Sequence, residues 1–291
     1  MLIDTRQTIV PRPFLKWAGG KSKLIQQYSK LFPKDFNTYY EPFLGGGAVF
    51  FHLQPKNAVL TDINAELINV YCCVRDQVES LIEILAQHQQ KHNKDYYYRI
   101  RSQTYKAEIK RAARIIYLNK TCFNGLYREN SQGKFNVPMG KYKNPPICQP
   151  DLLRSVAAAL QSTEIRVRSF EEVVNYAKKG DFVYFDPPYH PISATSNFTA
   201  YSRYSFSEKD QIKLKDVFVE LTKKGVKVML SNSDCGFIRE LYRDFTIEEI
   251  LAARAINSNG NKRGKVKEVL VMNYSNRFLG TAETQRTQRE E

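Results

Sequence analysis

The sequence predicts an α/β fold, a mostly parallel sheet interrupted by a helical insertion that ends in a β-hairpin. Three observations carry this. An apolar segment at residues 38–43 runs into Gly45-Gly46-Gly47, and a second apolar segment ends at Asp62. That strand–glycine turn–helix–strand–acid order opens a nucleotide-binding βαβ unit. A long stretch then follows the period of amphipathic helices. Short apolar runs return near Ile165, and one of them, Phe182-Val183-Tyr184-Phe185, stops at Asp186.

Taken in order, residues 13–17 read as an extended piece, followed by a glycine turn and a helix from about Lys21 to Leu31. Residues 38–43 form a strand, 48–53 a helix and 58–61 a second strand. Leu67, Val70, Tyr71 and Val74 recur at i, i+3, i+4, i+7. So do Val78, Leu81, Ile82 and Leu85, and Ile109, Ala112, Ala113 and Ile116, each set making one apolar stripe. Residues 123–142 hold Asn124-Gly125, Gln132-Gly133, Pro138 and Gly140, which are turn and hairpin signals. Leu214, Val217, Phe218 and Leu221 mark another helix. Residues 226–230, 245–251 and 266–274 read as strands, the last two pairing antiparallel at a sheet edge. The expected organisation is one sheet domain from 1–63 and 164–275 and an insertion at 64–163 with its hairpin near 121–143. A polar, disordered tail is expected at 276–291.

The chain has 291 residues, 42% apolar and 25% charged, which suits one large domain with an insertion or two modest domains and excludes a disordered chain. No apolar run approaches the length of a membrane span, and the first eleven residues lack the layout of a secretory signal. A cytoplasmic location is expected. Cys72, Cys73, Cys122, Cys148 and Cys235 are odd in number and form no C-x-x-C, which argues against a disulfide framework and a structural zinc. They read as small buried side chains. His88 and His92 enclose Gln89, Gln90 and Lys91 with no carboxylate, so they read as a solvated helix face, and no metal is expected.

The formal net charge is +14, and it is concentrated: residues 91–143 hold 13 Lys/Arg against 3 Asp/Glu. Tyr96, Tyr97, Tyr98, Tyr105, Phe123, Tyr127, Phe135 and Tyr142 are interleaved there. A basic stripe with stacking rings is the footprint of nucleic-acid binding, against the blander reading of a solvated basic surface.

The sharpest motif is Asp186-Pro187-Pro188-Tyr189 at the end of an apolar strand. Ligands of open α/β sheets bind outside the carboxyl ends of strands. Two prolines remove two backbone donors and stiffen the turn. A carboxylate, a carbonyl and an aromatic ring remain, a set that suits a planar base bearing an amino group. Asp186 and the Pro187 carbonyl can each accept one N–H of the amine, and Tyr189 can stack on the ring. Adenine's amine is a poor nucleophile because its lone pair is delocalised, and two acceptors favour the partial positive charge it gains during attack.

The second motif is Glu41-Pro42-Phe43-Leu44-Gly45-Gly46-Gly47, whose glycines permit a tight turn and close approach of a ligand. Asp62 follows at a spacing near that of a ribose-binding acid. There is no G-x-G-x-x-G, which favours a nucleoside ligand over a dinucleotide. The third is Phe14-Leu15-Lys16-Trp17-Ala18-Gly19-Gly20-Lys21. Gly20-Lys21-Ser22 looks like the end of a P-loop, but Leu15 stands where that loop needs glycine. Trp17, the only tryptophan, suits either a cofactor contact or a core anchor.

Together and in this order, the three motifs resemble the adenine-specific DNA methyltransferases of the Dam type. The resemblance covers residues 13–274, including Asn124-Gly125-Leu126-Tyr127-Arg128, Phe135-Asn136-Val137-Pro138 and residues 191–201. It implies a Rossmann-like catalytic domain with a helical target-recognition insertion, S-adenosylmethionine as methyl donor and double-stranded DNA as partner. It implies cofactor contacts at Trp17, Lys21, Asp62 and Asp186, beside the turn residues Phe43, Gly45 and Gly47. It implies a catalytic tetrad Asp186, Pro187, Pro188 and Tyr189 acting on an adenine flipped from the duplex. Phe123 would wedge into the base stack and Asn124 would meet the orphaned thymine. Lys16, Leu126, Arg128, Pro138 and Tyr142 would read the flanking bases of 5′-GATC-3′. Some members carry Tyr where this chain has Phe123, so stacking survives and a hydroxyl contact does not. No obligate protein partner is implied. Methylation of RNA or a protein amide, or a catalytically dead DNA-binding regulator, are the alternatives.

Overall fold

The computed structural model describes residues 9–130, 132–191, 206–253 and 265–275. Seven strands form one sheet: β1 (Tyr39–Glu41), β2 (Ala58–Asp62), β3 (Thr163–Val167), β4 (Phe182–Phe185), β5 (Lys227–Ser233), β6 (Thr246–Ala253) and β7 (Lys265–Met272). Their order is β3-β2-β1-β4-β5-β7-β6. β1 through β5 pair in parallel, and β7 runs antiparallel to both β5 and β6. The chain winds outward from β1 in one direction and from β4 in the other. Their shared carboxyl edge is therefore the topological switch point. A central parallel strand is covered on both faces, which is why all four residues of β4 are apolar or aromatic and buried.

Helix α1 (Ile25–Tyr28) precedes the sheet, and α2 (Ala48–Leu53) begins on the glycine turn after β1. α3 (Ala65–Asp76), α4 (Val78–Gln90), α5 (Lys94–Ser102), α6 (Glu108–Thr121) and α7 (Pro150–Leu160) fill the insertion. α8 (Glu208–Lys223) and α9 (Gly236–Leu241) flank β5. Asn64 starts α3 by accepting from the Glu66 and Leu67 N–H groups, each at 3.1 Å. The predicted stripes face inward: Leu67, Val70, Tyr71, Val74, Leu81, Ile82, Leu85, Ala112, Ala113 and Ile116 are all buried. They share one apolar core with the sheet residues Tyr39, Leu60 and Phe182.

Several expectations change. The helix expected from Lys21 to Leu31 is a 3-10 turn at Lys21–Lys23 followed by the single turn of α1, and neither has a side-chain cap. Among the described residues, the hairpin of residues 123–142 has two isolated antiparallel bridges in place of a ladder, Cys122 with Met139 and Glu129 with Phe135. Positive φ at Asn124 and Gly125 interrupts the strand between them, and Gly133, also at positive φ, lies in the turn beyond the second bridge. His88 is not on a solvated face. It is 7% exposed, shares a 2.7 Å hydrogen bond with the Tyr96 hydroxyl and stacks on Tyr117, and burial lowers its pKa to about 4. Three of the eight rings of the basic stripe are structural too: Tyr96, Tyr97 and Phe135 are buried. The expected disordered tail, and most of the stretch 191–201, lie outside the described residues. The five cysteines are free, and among the described residues no helix is long and apolar enough to cross a membrane.

Candidate active site

The glycine turn after β1 is shaped from both sides. Gly45 and Gly47 have φ of +47° and +66°, where a β-carbon is strained. The Gly45 N–H donates to the Asp62 carboxylate at 3.2 Å, and the Asn64 N–H donates to it at 2.9 Å. Asp62 thereby ties the end of β2 to the turn. The Tyr71 hydroxyl donates to the Gly45 carbonyl at 3.1 Å. Trp17 lies against the turn so closely that a β-carbon on Gly45 would stand 2.9 Å from its indole. Phe43 stacks on Phe170, with ring centroids 5.3 Å apart.

Glu41 ends β1 and is buried. It accepts from the Tyr39 hydroxyl at 2.9 Å and the Phe50 N–H at 3.2 Å. Burial pushes its carboxyl up to about 8, with Asp186 and Asp62 adding to the rise. Burial also raises Asp62 to about 6, against the hydrogen bonds from Asn64 and Gly45. Glu41, Asp62 and Asp186 thus form a group of carboxylates at the edge of β1, β2 and β4.

The tetrad leaves β4 at Asp186. Asp186 Oδ1 lies 2.8 Å from Lys21 Nζ and accepts from the Ser231 hydroxyl at 2.8 Å. The Lys21 ammonium also donates to the Gly19 carbonyl at 2.7 Å and stands over the Tyr189 ring, 4.5 Å from its centroid. A lysine this deeply buried needs such a partner, because an unpaired buried cation is costly. Tyr189 is fixed by its hydroxyl, which donates to Glu268 at 2.7 Å; Tyr28 donates to the same oxygen at 3.3 Å. Gln211 donates to the Pro188 carbonyl at 3.0 Å and is held by Asn232 at 3.0 Å. Among the described residues no donor reaches the Pro187 carbonyl. The site therefore presents a fixed carboxylate, a neighbouring carbonyl and a held aromatic ring.

The predicted recognition residues gather on a second surface. Phe123 is 50% exposed at the turn, and Asn124, Arg128 and Pro138 are exposed beside it. Leu126 and Tyr142 are partly buried. The Arg128 Nε donates to the Asn136 side-chain oxygen at 2.7 Å, and the Lys16 ammonium stands over the Tyr142 ring at 4.2 Å. Trp17 joins the two surfaces: it touches the glycine turn and stacks on Tyr127 of the 123–142 segment at 5.5 Å.

Several supporting residues escaped sequence reasoning: Ser231, Asn232, Gln211, Glu268, Tyr28, Phe170 and Asn119. One signal was present. Ser231-Asn232-Ser233 is a polar run continuing an apolar strand, and all three are buried in β5. Glu268 carried no such signal, since its partners lie far away in sequence.

The seven-strand sheet and its order are those of an α/β methyltransferase fold. The chain belongs to the D12 class N6 adenine-specific DNA methyltransferase family, whose pattern matches residues 17–256. It is 48% identical over 273 residues to the type II methyltransferase M1.LlaDCHI of Lactococcus lactis, covering 91% of this chain and 96% of the relative. It is 42% identical over 286 residues to the type II methyltransferase M.MjaIII of Methanocaldococcus jannaschii, covering 90% and 99%. It is 36% identical over 282 residues to the DNA adenine methylase of Haemophilus influenzae, covering 94% and 98%. The chain is an adenine-specific DNA methyltransferase.

Proposed function

We propose that this methyltransferase takes its methyl group from S-adenosylmethionine and acts on an adenine turned out of double-stranded DNA, at 5′-GATC-3′. The supporting observation is Asp186, held by Lys21 and Ser231 at the switch point between the glycine turn and the recognition surface. When bound, S-adenosylmethionine supplies an electrophilic methyl group on a positively charged sulfur. The donor set fits it. Carboxylates at Glu41, Asp62 and Asp186 suit a ligand with a sulfonium and an ammonium. Phe43 with Phe170 offers an apolar place for its base, and Trp17 and Lys21 border the turn formed by Gly45 and Gly47.

The chain's own residues position the amine. Asp186 accepts one N–H and the Pro187 carbonyl the other, which favours the charge that develops on nitrogen. Pro188 stiffens the turn, and Tyr189 supplies the stacking ring, its angle set by Glu268. Turning the base out costs a few kcal/mol. Phe123 filling the stack, Asn124 meeting the unpaired partner base and basic contacts to phosphates offset that cost. Lys16, Leu126, Arg128, Pro138 and Tyr142 meet the flanking pairs. In this reading residues 1–63 and 164–275 carry the chemistry, residues 64–163 carry recognition, and the enzyme works in the cytoplasm.

The test is transfer from labelled S-adenosylmethionine to duplexes containing GATC and to single-base variants, with the product nucleoside identified by mass spectrometry. N6-methyladenine confined to GATC is the expected result. Methylation at another sequence would remove the recognition reading, and preference for single strands would remove the duplex and flipping reading.

A further inference from the structure

Asn119 is 2% exposed, near the end of α6, and its side chain makes three hydrogen bonds to backbone far from it in sequence. Its Oδ1 accepts from the Lys16 N–H at 2.8 Å. Its Nδ2 donates to the Lys16 carbonyl at 2.7 Å and to the Gly125 carbonyl at 3.0 Å. The amide therefore pairs with both polar groups of one residue, as a neighbouring strand would, and joins that residue to the turn carrying Phe123 and Asn124. The other side of Lys16 is closed by Gly125. A β-carbon there would stand 2.4 Å from Lys16 Cδ and 2.5 Å from its Cβ. Gly125 has φ of +65°, so the turn reaches this approach without strain. The Lys16 backbone is thus held by an amide and its stem lies against a glycine, and its ammonium stands over the Tyr142 ring.

We infer that Asn119 and Gly125 form a clamp that sets the reach of Lys16, which makes Asn119 a positioning residue for sequence discrimination. The inference rests on the reading of Lys16 as a base contact. The physical reason is geometric. Lysine is a flexible point donor whose side chain alone does not fix where its ammonium falls. Reading one base edge requires that the backbone beneath it be fixed. Helix α6 is firmly buried and supplies a rigid origin, and Asn119 transmits that origin to Lys16. A single buried amide with all its polar atoms satisfied suits this task.

The experiment measures single-turnover methylation on GATC and on duplexes substituted at each outer base pair, with S-adenosylmethionine saturating. The variants are Lys16→Ala, Asn119→Ala, Gly125→Ala and the double variant Lys16→Ala/Asn119→Ala. Thermal melting checks each fold. Asn119→Ala is expected to lose roughly the same discrimination as Lys16→Ala, about 5- to 100-fold at the same outer pair. The double variant should lose no more than Lys16→Ala alone, because both act through one contact. A merely structural role would slow all duplexes equally and leave the ratios untouched, and that result overturns the inference. Additive losses in the double variant also overturn it. If Asn119→Ala does not fold, Gly125→Ala decides: unchanged ratios reject the clamp, and relaxed discrimination at the Lys16 pair supports it. Should Lys16→Ala itself keep full discrimination, the reading of Lys16 fails and the clamp falls with it. Loss in Lys16→Ala without loss in the other variants rejects the clamp alone.

Discussion

Lys21 Nζ lies 2.8 Å from Asp186 Oδ1, joining the segment before α1 to the residue that follows β4. Lys21 is almost fully buried and Asp186 is partly open, so the pair shields the cation and leaves the carboxylate partly exposed. Asp186 thus remains an acceptor with a fixed direction. Asp186→Ala should lower turnover by about 10²–10³ while DNA binding stays close to normal. Single-turnover methylation and a separate DNA-binding titration check this. Near-normal chemistry in the variant would remove Asp186 from the reaction.

Tyr189 is held by Glu268, and this contact allows a milder test. Glu268→Gln keeps the shape and weakens a charge-assisted hydrogen bond, and Tyr189→Phe removes the hydroxyl altogether. Both should reduce kcat by several-fold while leaving the KM for S-adenosylmethionine near its original value. A fluorescent adenine analogue in the target position should report a less defined stacked state. An unchanged signal in both variants would mean that the hydroxyl does not set the ring.

Glu41 makes stability depend on pH in a stated direction. Its carboxyl is raised from 4.5 to about 8 in the folded chain, so between those values the native state holds a proton that the unfolded chain has lost. Stability must fall as pH rises through that window, by on the order of a few kcal/mol at most. Glu41→Gln should flatten the fall, as read by urea unfolding at pH 5.5 and 8.5. A cationic ligand beside Glu41 and Asp62 favours their charged forms. S-adenosylmethionine should therefore bind more tightly as pH rises from 6 to 8, and S-adenosylhomocysteine, which lacks the sulfonium charge, should respond less. Equal pH responses of the two would place the sulfonium away from these carboxylates.

The regular elements were legible in the sequence because burial and period coincide there. The apolar stripes of α3, α4 and α6 and the run of β4 each match what the fold buries. The segment Asp186–Tyr189 and the glycine turn stood out in the sequence because each is a run of adjacent residues. Residues whose role depends on distant partners did not. His88 looked solvated because the rings of Tyr96 and Tyr117 that cover it come from other helices. Arg114 looked like part of a basic face, yet it donates to the Ile100 and Arg101 carbonyls at 3.0 and 2.7 Å and closes the end of α5. Asn119 looked like one more polar residue in a helix.

That distinction selects which charges to test for phosphate binding. Arg114 is committed to α5, and Arg111 pairs with Glu66 at 3.3 Å. Lys134, Lys141 and Lys143 are exposed on or beside the 123–142 segment instead. Replacing all three with Gln should flatten the dependence of log affinity on log salt, by about 0.9 for each phosphate that is no longer neutralised. The preferred sequence should stay the same. An unchanged slope in filter-binding titrations from 50 to 200 mM salt would place the phosphate grip on another face.

Arg128 offers the most specific test of recognition. It is exposed on the same segment as Phe123, and Asn136 holds its Nε at 2.7 Å, which leaves the two terminal nitrogens of the guanidinium as the donors a base edge can use. Two parallel donors match the two acceptors that guanine presents in the major groove, and no other base edge offers that pair. A guanidinium gripping a phosphate uses the same nitrogens but carries no sequence information. The two roles separate in rates on substituted duplexes. If Arg128 reads a base, Arg128→Ala should cost roughly 1–3 kcal/mol of discrimination at one outer pair, with other positions still distinguished. If it grips a phosphate, the variant should weaken every duplex by the same factor. Asn136→Ala adds a second measurement, because it frees the guanidinium to rotate without removing it. For a base reader, Asn136→Ala should relax discrimination at that same pair by less than Arg128→Ala does. A uniform loss in both variants would assign Arg128 to the backbone and leave the outer guanine to another residue.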